Sequence, residues 1–188
     1  SLHREMHEKL FTKEGLSTTA CIPSAINTEK FKPMPEVNKV PNSVLGINCL
    51  IPFKGRYNIY NYAREHPELF FSFVGQQEQI NVSNCKYTTH MPYEDLPQIY
   101  NEHEYFIHLP SSPQPCERTV MEAKLCGLKL IVNDLVGIMS YPFFRNDSLE
   151  EIRKKLSEVP IAFWESIEQV IKDPSKEKIQ EVAQAWEN

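Results

Sequence analysis

A chain of 188 residues can hold one domain with a full core, or one domain with an appendage. Its 41% hydrophobic and 24% charged residues are ordinary for a soluble globular protein, and a formal net charge of -5 argues against a general nucleic-acid binder, which normally shows a basic face. No apolar run approaches the roughly 20 residues of a membrane span, and the charged first residues do not read as a signal peptide.

The elements follow in chain order. Leu2–Glu14 reads as a short amphipathic helix closed by Gly15, and Thr18–Ile22 as a short strand. Pro23, Pro33, Pro35 and Pro41 mark an extended linker outside the core. The domain division is therefore 1–41, helix and interdomain linker, and 42–188, a Rossmann-like domain with C-terminal helices. Strands are expected at Val44–Ile51, Leu69–Val74, Lys86–His90, Tyr105–Leu109 and Leu128–Val132. Leu69–Val74 is a continuous apolar run ending at Gly75, as a buried parallel strand should be. Helices are expected at Tyr57–Glu65, stopped by Pro67, and at Tyr93–Glu102 with acidic residues in its first turn. A further helix is expected at Glu117–Cys126, closed by Gly127. Leu149–Val159 and Ile161–Ile171 read as two helices parted by Pro160, and Glu177–Trp186 as a last one.

Strands and helices alternate from Val44 to Val132. That pattern predicts an α/β fold with a parallel sheet covered on both faces. Ligands of such sheets bind at the carboxyl ends of the strands. The candidate loops are Pro52–Arg56, Gly75–Glu78, Met91–Glu94, Pro110–Arg118 and Asn133–Ser140. The segment Ser111–Asp134 is the most informative. A loop with two prolines feeds a helix N-terminus beside a parallel strand, which is a natural anion site. Arg118 and Thr119 in the first turn add charge and a hydroxyl. Glu122, one turn on, is placed to accept hydrogen bonds from sugar hydroxyls.

The five cysteines, Cys21, Cys49, Cys85, Cys116 and Cys126, are scattered, odd in number and without zinc-like spacing. They read as reduced intracellular thiols. Cys116 precedes a helix N-terminus, but no partner base is evident for it. His90 and His108 lie in or beside strands and read as satisfied structural histidines. The glycosylation patterns at Asn81–Ser83 and Asn146–Ser148 read as chance matches.

Five segments together resemble the C-terminal, donor-binding half of retaining GT-B glycosyltransferases. They are Ile22–Asn27 followed by Phe31 and Pro33; Lys54–Gly55 after a strand; Leu69–Gly75; Met91–Pro97 followed by Tyr100; and Ser111–Gly127. Order and spacing cover roughly Pro23 to Ile138. The resemblance implies an enzyme that transfers a sugar from a nucleotide-sugar to an acceptor hydroxyl with retention. It implies a hexosyltransferase-like activity, incomplete in this chain, because a GT-B enzyme needs a second, N-terminal domain. The substrate is a UDP- or GDP-sugar, and no cofactor or metal is required.

By the same resemblance Lys54 and Gly55 face the donor diphosphate. Arg118, Thr119 and Val120 form the helix start that meets the pyrophosphate, with Gly75 and Ser111 on neighbouring loops. Met91 contacts the base through its backbone, Tyr93 either assists there or is a packed aromatic, and Glu122 holds ribose hydroxyls. Gln114 stands where the family has its first glutamate, against the donor sugar. Glu117 replaces a glycine, where it would repel a diphosphate or point outward. Cys49 replaces an arginine, with Arg56 as a substitute. These departures bear on catalysis more than on nucleotide binding. Gln114 can hydrogen-bond to hydroxyls but brings no negative charge to an oxocarbenium-like transition state. Two other readings stay open: a transferase-like binding module without catalysis, and a sugar-nucleotide epimerase of similar architecture. The expected location is cytoplasmic, with peripheral attachment to the inner membrane face through the missing domain left open.

Overall fold

The computed structural model describes residues 23–75, 79, 81–115 and 117–185. The expectations for Leu2–Glu14, Thr18–Ile22, Cys116 and Trp186 lie outside the described residues. Five strands form one sheet: β1 (Val40–Ile47), β2 (Phe70–Val74), β3 (Cys85–Thr88), β4 (His103–His108) and β5 (Lys129–Val132). Every pairing is parallel and the order is β3-β2-β1-β4-β5. The strand order therefore reverses at β1 and β4. The crevice beyond their carboxyl ends is where such sheets take ligands. The helices are α1 (Arg56–Glu65), α2 (Leu96–Glu102), α3 (Arg118–Leu125), α4 (Pro142–Asn146), α5 (Leu149–Lys172) and α6 (Lys176–Ala185).

Period-two alternation sends the strand side chains to two cores. Val44, Phe71, Phe73 and Ile107 pack with Ile59 and Ala63 of α1 on one face. Leu45, Ile47, Val74 and Phe106 pack on the other with Tyr100 of α2, Val120 and Met121 of α3, and Ile152 and Leu156 of α5. Both faces are covered, as the apolar strand runs require.

Four local expectations need correction. β1 begins at Val40 and ends at Ile47, not Val44 to Ile51. Pro41 is tolerated at the strand's start. An irregularity follows, because the β1–β4 register shifts between Val40 and Val44, and Asn42 takes a left-handed φ of 58° there. The strand stops because Asn48 turns to φ 48° and its N–H donates to the Val74 carbonyl at 2.9 Å. Second, the proline-rich linker is not outside the core. Phe31 is fully buried, edge-on to Tyr93 and Tyr100, and its carbonyl accepts from Arg153 at 3.0 Å. Asn101 fastens the same segment, accepting from the Met34 N–H at 2.8 Å and donating to the Lys32 carbonyl at 3.0 Å.

Third, α5 runs unbroken through Pro160 for 24 residues. Pro160 lies on the exposed side, and Ile152, Leu156 and Val159 hold the buried stripe that keeps the helix continuous despite one lost backbone bond. Its start is fixed by a capping box: Ser148 accepts from the Glu151 N–H and the Glu151 carboxylate accepts from the Ser148 N–H. Fourth, α2 begins at Leu96, so Glu94 and Asp95 precede it and no acidic residue sits in its first turn.

One amide ties the end of α1 and the start of β2 to the start of β3. Asn84 Nδ2 lies 3.2, 3.1 and 3.0 Å from the carbonyls of Ala63, His66 and Leu69. These carbonyls end α1 and begin the turn to β2, so they lack helical partners. Asn84→Ala should cost about 1–3 kcal/mol, read as a fall in the urea midpoint with unchanged slope.

Candidate functional site

The site is assembled at the switch point by tight backbone contacts. Gly55 ends the 3-10 turn Pro52–Lys54 with φ 100° and N-caps α1. A Cβ added there would meet the Leu109 carbonyl oxygen at 1.8 Å, so only glycine fits. The Ser111 N–H donates to the Phe53 carbonyl at 3.1 Å, and Asn58 Nδ2 donates to the Leu109 carbonyl at 2.9 Å. The turn after β1 and the loop after β4 are thereby held together. Gly75, at φ 114°, closes the end of β2 against the Asn48 side chain.

This docking brings Lys54 to the start of α3. Lys54 Nζ lies 3.2 Å from Glu117 Oε1, with side-chain exposures of 22% and 12%. The Thr119 hydroxyl donates to the same oxygen at 3.3 Å. The other oxygen, Glu117 Oε2, faces His108 Nε2 at 3.7 Å. Glu117 therefore turns inward, and the expected outward side chain does not describe it. Its position at the positive helix end suits a carboxylate. Arg118 is exposed and its charge reaches Glu122, while Val120 is fully buried in the core. Arg56 is committed to its neighbour, with Nη2 donating to the Tyr57 hydroxyl at 2.9 Å.

His108 departs from expectation most. Its side chain is fully buried at the end of β4, yet neither ring nitrogen makes a hydrogen bond among the described residues. Burial lowers its pKa to about 4; Glu117 opposes that and Lys54 adds to it. The expectation of a satisfied structural histidine does not hold. Its sequence setting, the last residue of an apolar strand at the carboxyl edge, was the available signal. Cys49 is buried with its thiol pushed up to about 12, so it is an inert protonated group.

Gln114 is held by the loop after β5. Its N–H donates to the Leu135 carbonyl at 2.8 Å and its carbonyl accepts from the Gly137 N–H at 2.7 Å. A Cβ on Gly137 would meet the Pro115 carbonyl oxygen at 2.0 Å. The Gln114 side chain folds back, with Nε2 3.4 Å from the Ser112 carbonyl.

Glu122 lies on the inner side of α3 and is 3% exposed. The Tyr100 hydroxyl donates to its Oε2 at 2.9 Å and lies 3.3 Å from the Thr119 carbonyl. Burial raises the Glu122 pKa, and the Tyr100 bond and Arg118 partly offset this. The Tyr100 pKa is raised well above the ordinary phenol value, by burial first and then by Glu122. Met91 is half-buried against the core beside the end of β3. Tyr93 is 42% exposed, packs on Phe31 and carries Lys30 Nζ 3.8 Å from its ring centre. Lys54, Gly55, Ser111, Thr119 and Glu117 thus come together at the carboxyl edge of the sheet, and Tyr93 packs on the linker.

No protein-family model matches the sequence, and no curated protein matches it. Solved structures do share the fold. HepE of Anabaena, solved with UDP and glucose, superposes with a TM-score of 0.60 at 16% identity over 97% of this chain and 56% of that one. Sucrose-phosphate synthase from Thermosynechococcus elongatus gives 0.57 at 15% identity, over 96% of this chain and 52% of that one. AviGT4, a glycosyltransferase involved in avilamycin A biosynthesis, gives 0.55 at 12% identity, over 89% and 53%. The fold is that of a GT-B C-terminal-like domain, α/β and Rossmann-like. The chain spans a little over half the length of these structures. Among the described residues no helix is long and apolar enough to cross a membrane.

The lowered pKa of His108 is also a statement about stability. The fold favours the neutral ring relative to the unfolded chain, where the value is about 6.5. Its contribution is complete above pH 6.5 and is lost as pH falls toward the folded value of about 4. His103, lowered by burial, acts in the same direction. Thermal midpoints should therefore drop between pH 7 and pH 4.5, and His108→Gln should show a smaller drop than the parent chain.

Proposed function

We propose that this chain is the donor-binding half of a glycosyltransferase that moves a sugar from a UDP- or GDP-sugar to an acceptor hydroxyl with retention. The observation that carries this reading is the meeting of Lys54 with the N-terminus of α3 at the switch point of a GT-B-like sheet. A compact cation and a helix start are the two features that hold a diphosphate. HepE, of the same fold, was solved with UDP-glucose as well as with UDP. In this reading the diphosphate lies over Gly55, Lys54 and the first turn of α3, with Ser111 and Gly75 at its margins. Glu122 is the carboxylate nearest to ribose hydroxyls, and Met91 lines the base with Tyr93 at the rim. Gln114 faces the transferred sugar, where its amide binds hydroxyls without adding charge. Phe53 and Tyr57 are 54% and 61% exposed beside the same crevice. They supply apolar surface for the N-terminal half that would close over the donor and read the acceptor.

A second reading rests on Gln114 and on the Glu117 carboxylate at Lys54. With no acidic group against the sugar and an anion already on the lysine, the domain would bind without catalysing. Turnover by the two-domain protein separates the two readings, and Gln114→Glu should then change turnover more than affinity.

Thermal unfolding of this chain with UDP, GDP, ADP and their sugar conjugates is the first test. A nucleotide at about 100 times its Kd adds about 2.7 kcal/mol, or roughly 5–10 °C in midpoint for a domain of this size. A shift with one base names the donor class; no shift with any removes weight from a donor site in this chain. Glu122→Gln keeps the shape that meets Tyr100. It should weaken the bound nucleotide by about 1–3 kcal/mol, as loss of a charged hydrogen bond does, and equal affinity would show that the ribose lies elsewhere.

A further inference from the structure

The start of α3 already holds an anion. Glu117 Oε1 receives Lys54 and the Thr119 hydroxyl, at 3.2 and 3.3 Å. A diphosphate at the same helix end would require the same lysine, and two anions cannot share it without repulsion. A buried imidazole without a hydrogen bond among the described residues stands behind the carboxylate, with His108 Nε2 3.7 Å from Glu117 Oε2. A side chain that is fully buried without a hydrogen bond has a cost that a second state of the site would relieve. The groups whose charges act on this cluster come from every neighbouring element. Lys54 comes from the turn after β1 and Glu117 from the start of α3, and both act on His108 and on the Cys49 thiol. Glu117 also acts on Tyr100 of α2 and Glu122 of α3, and Arg118 acts on Glu122.

We propose that Glu117 is the resident anion of the donor site, that a donor diphosphate displaces it from Lys54, and that the Glu117–His108 pair then takes up a proton from solvent. This rests on the donor-site reading above. The exchange balances in charge: the lysine passes from carboxylate to phosphate, and the carboxylate regains a cationic partner when His108 is protonated. The carboxylate, 12% exposed, is the route by which a proton reaches a ring that has no exposure of its own. Leaving Glu117 unpaired at this depth would be costly, so displacement and protonation go together. Glu117 in this role is a specificity-determining residue. It admits only ligands whose anion outcompetes a carboxylate for the lysine, and it makes donor affinity fall as pH rises.

The test is calorimetric titration of this chain and of Glu117→Gln with UDP-glucose and GDP-mannose, whose diphosphates do not titrate near neutral pH. Each titration is run in two buffers of different ionisation enthalpy at pH 7. The parent chain should show buffer-dependent heat corresponding to proton uptake. Glu117→Gln should bind roughly five- to tenfold tighter, with the tightening set by release of a half-buried pair, and with no buffer dependence. Equal or weaker binding by Glu117→Gln overturns the resident-anion role, and buffer-independent heat in the parent chain overturns the proton uptake. Binding of neither probe to either form defeats the donor-site reading itself, and this inference with it. Binding by Glu117→Gln alone supports the donor site and the resident anion, and overturns the displacement of Glu117 by a donor.

Discussion

The approach of Gly55 to the Leu109 carbonyl is the constraint on which the crevice depends. Two main chains pass so closely that a single methyl group would drive them apart. Because they pass closely, the Phe53 carbonyl meets the Ser111 N–H and Asn58 of α1 reaches the end of β4. Gly137 repeats the arrangement against the Pro115 carbonyl and draws in the loop after β5. Three loops that follow three different strands are thus joined mainly through backbone. Their side chains are left available for chemistry.

The charges are placed by that joining. Lys54 is 63 positions from Glu117 in sequence and 3.2 Å away in space. The helix end, the lysine and the buried imidazole form one electrostatic unit at the centre of the carboxyl edge. A second unit, Tyr100 with Glu122, lies on the inner side of α3. It secures α2 to α3 while keeping a carboxylate near the crevice. Cys49 lies close to both charged partners of the first unit, yet burial keeps its thiol protonated, so it contributes volume and not reactivity.

The parallel sheet was legible because its strands are short apolar runs separated by helical patterns, Leu69–Val74 most plainly. The convergence of the turn after β1 with the loop after β4 was legible because the Lys54–Gly55 turn and a proline-bearing loop fall at the carboxyl ends of strands. What sequence patterns missed depends on contacts between distant residues. Phe31 looked like part of a polar linker, and only its rings across to Tyr93 and Tyr100 reveal it as core. Pro160 looked like a boundary, but a proline facing solvent need not end a helix whose other side is buried. Glu117 was read from its own position alone, and its orientation is decided by Lys54 and His108. The short helix α4 and the 3-10 segments Pro52–Lys54 and Gly137–Ser140 are too brief to leave a periodic signal.

The unbroken course of α5 has a mechanical consequence. Twenty-four residues make a rod about 36 Å long. Its first half is built into the core that also holds Val120 and Met121 of α3. Its second half presents Ile161, Trp164 and Ile171 to solvent, 63%, 63% and 74% exposed. A hinge at Pro160 would have decoupled the halves. Without one, α5 is a single continuous element that joins its exposed far end, through Ile152 and Leu156, to the core that also packs the helix whose N-terminus holds Glu117.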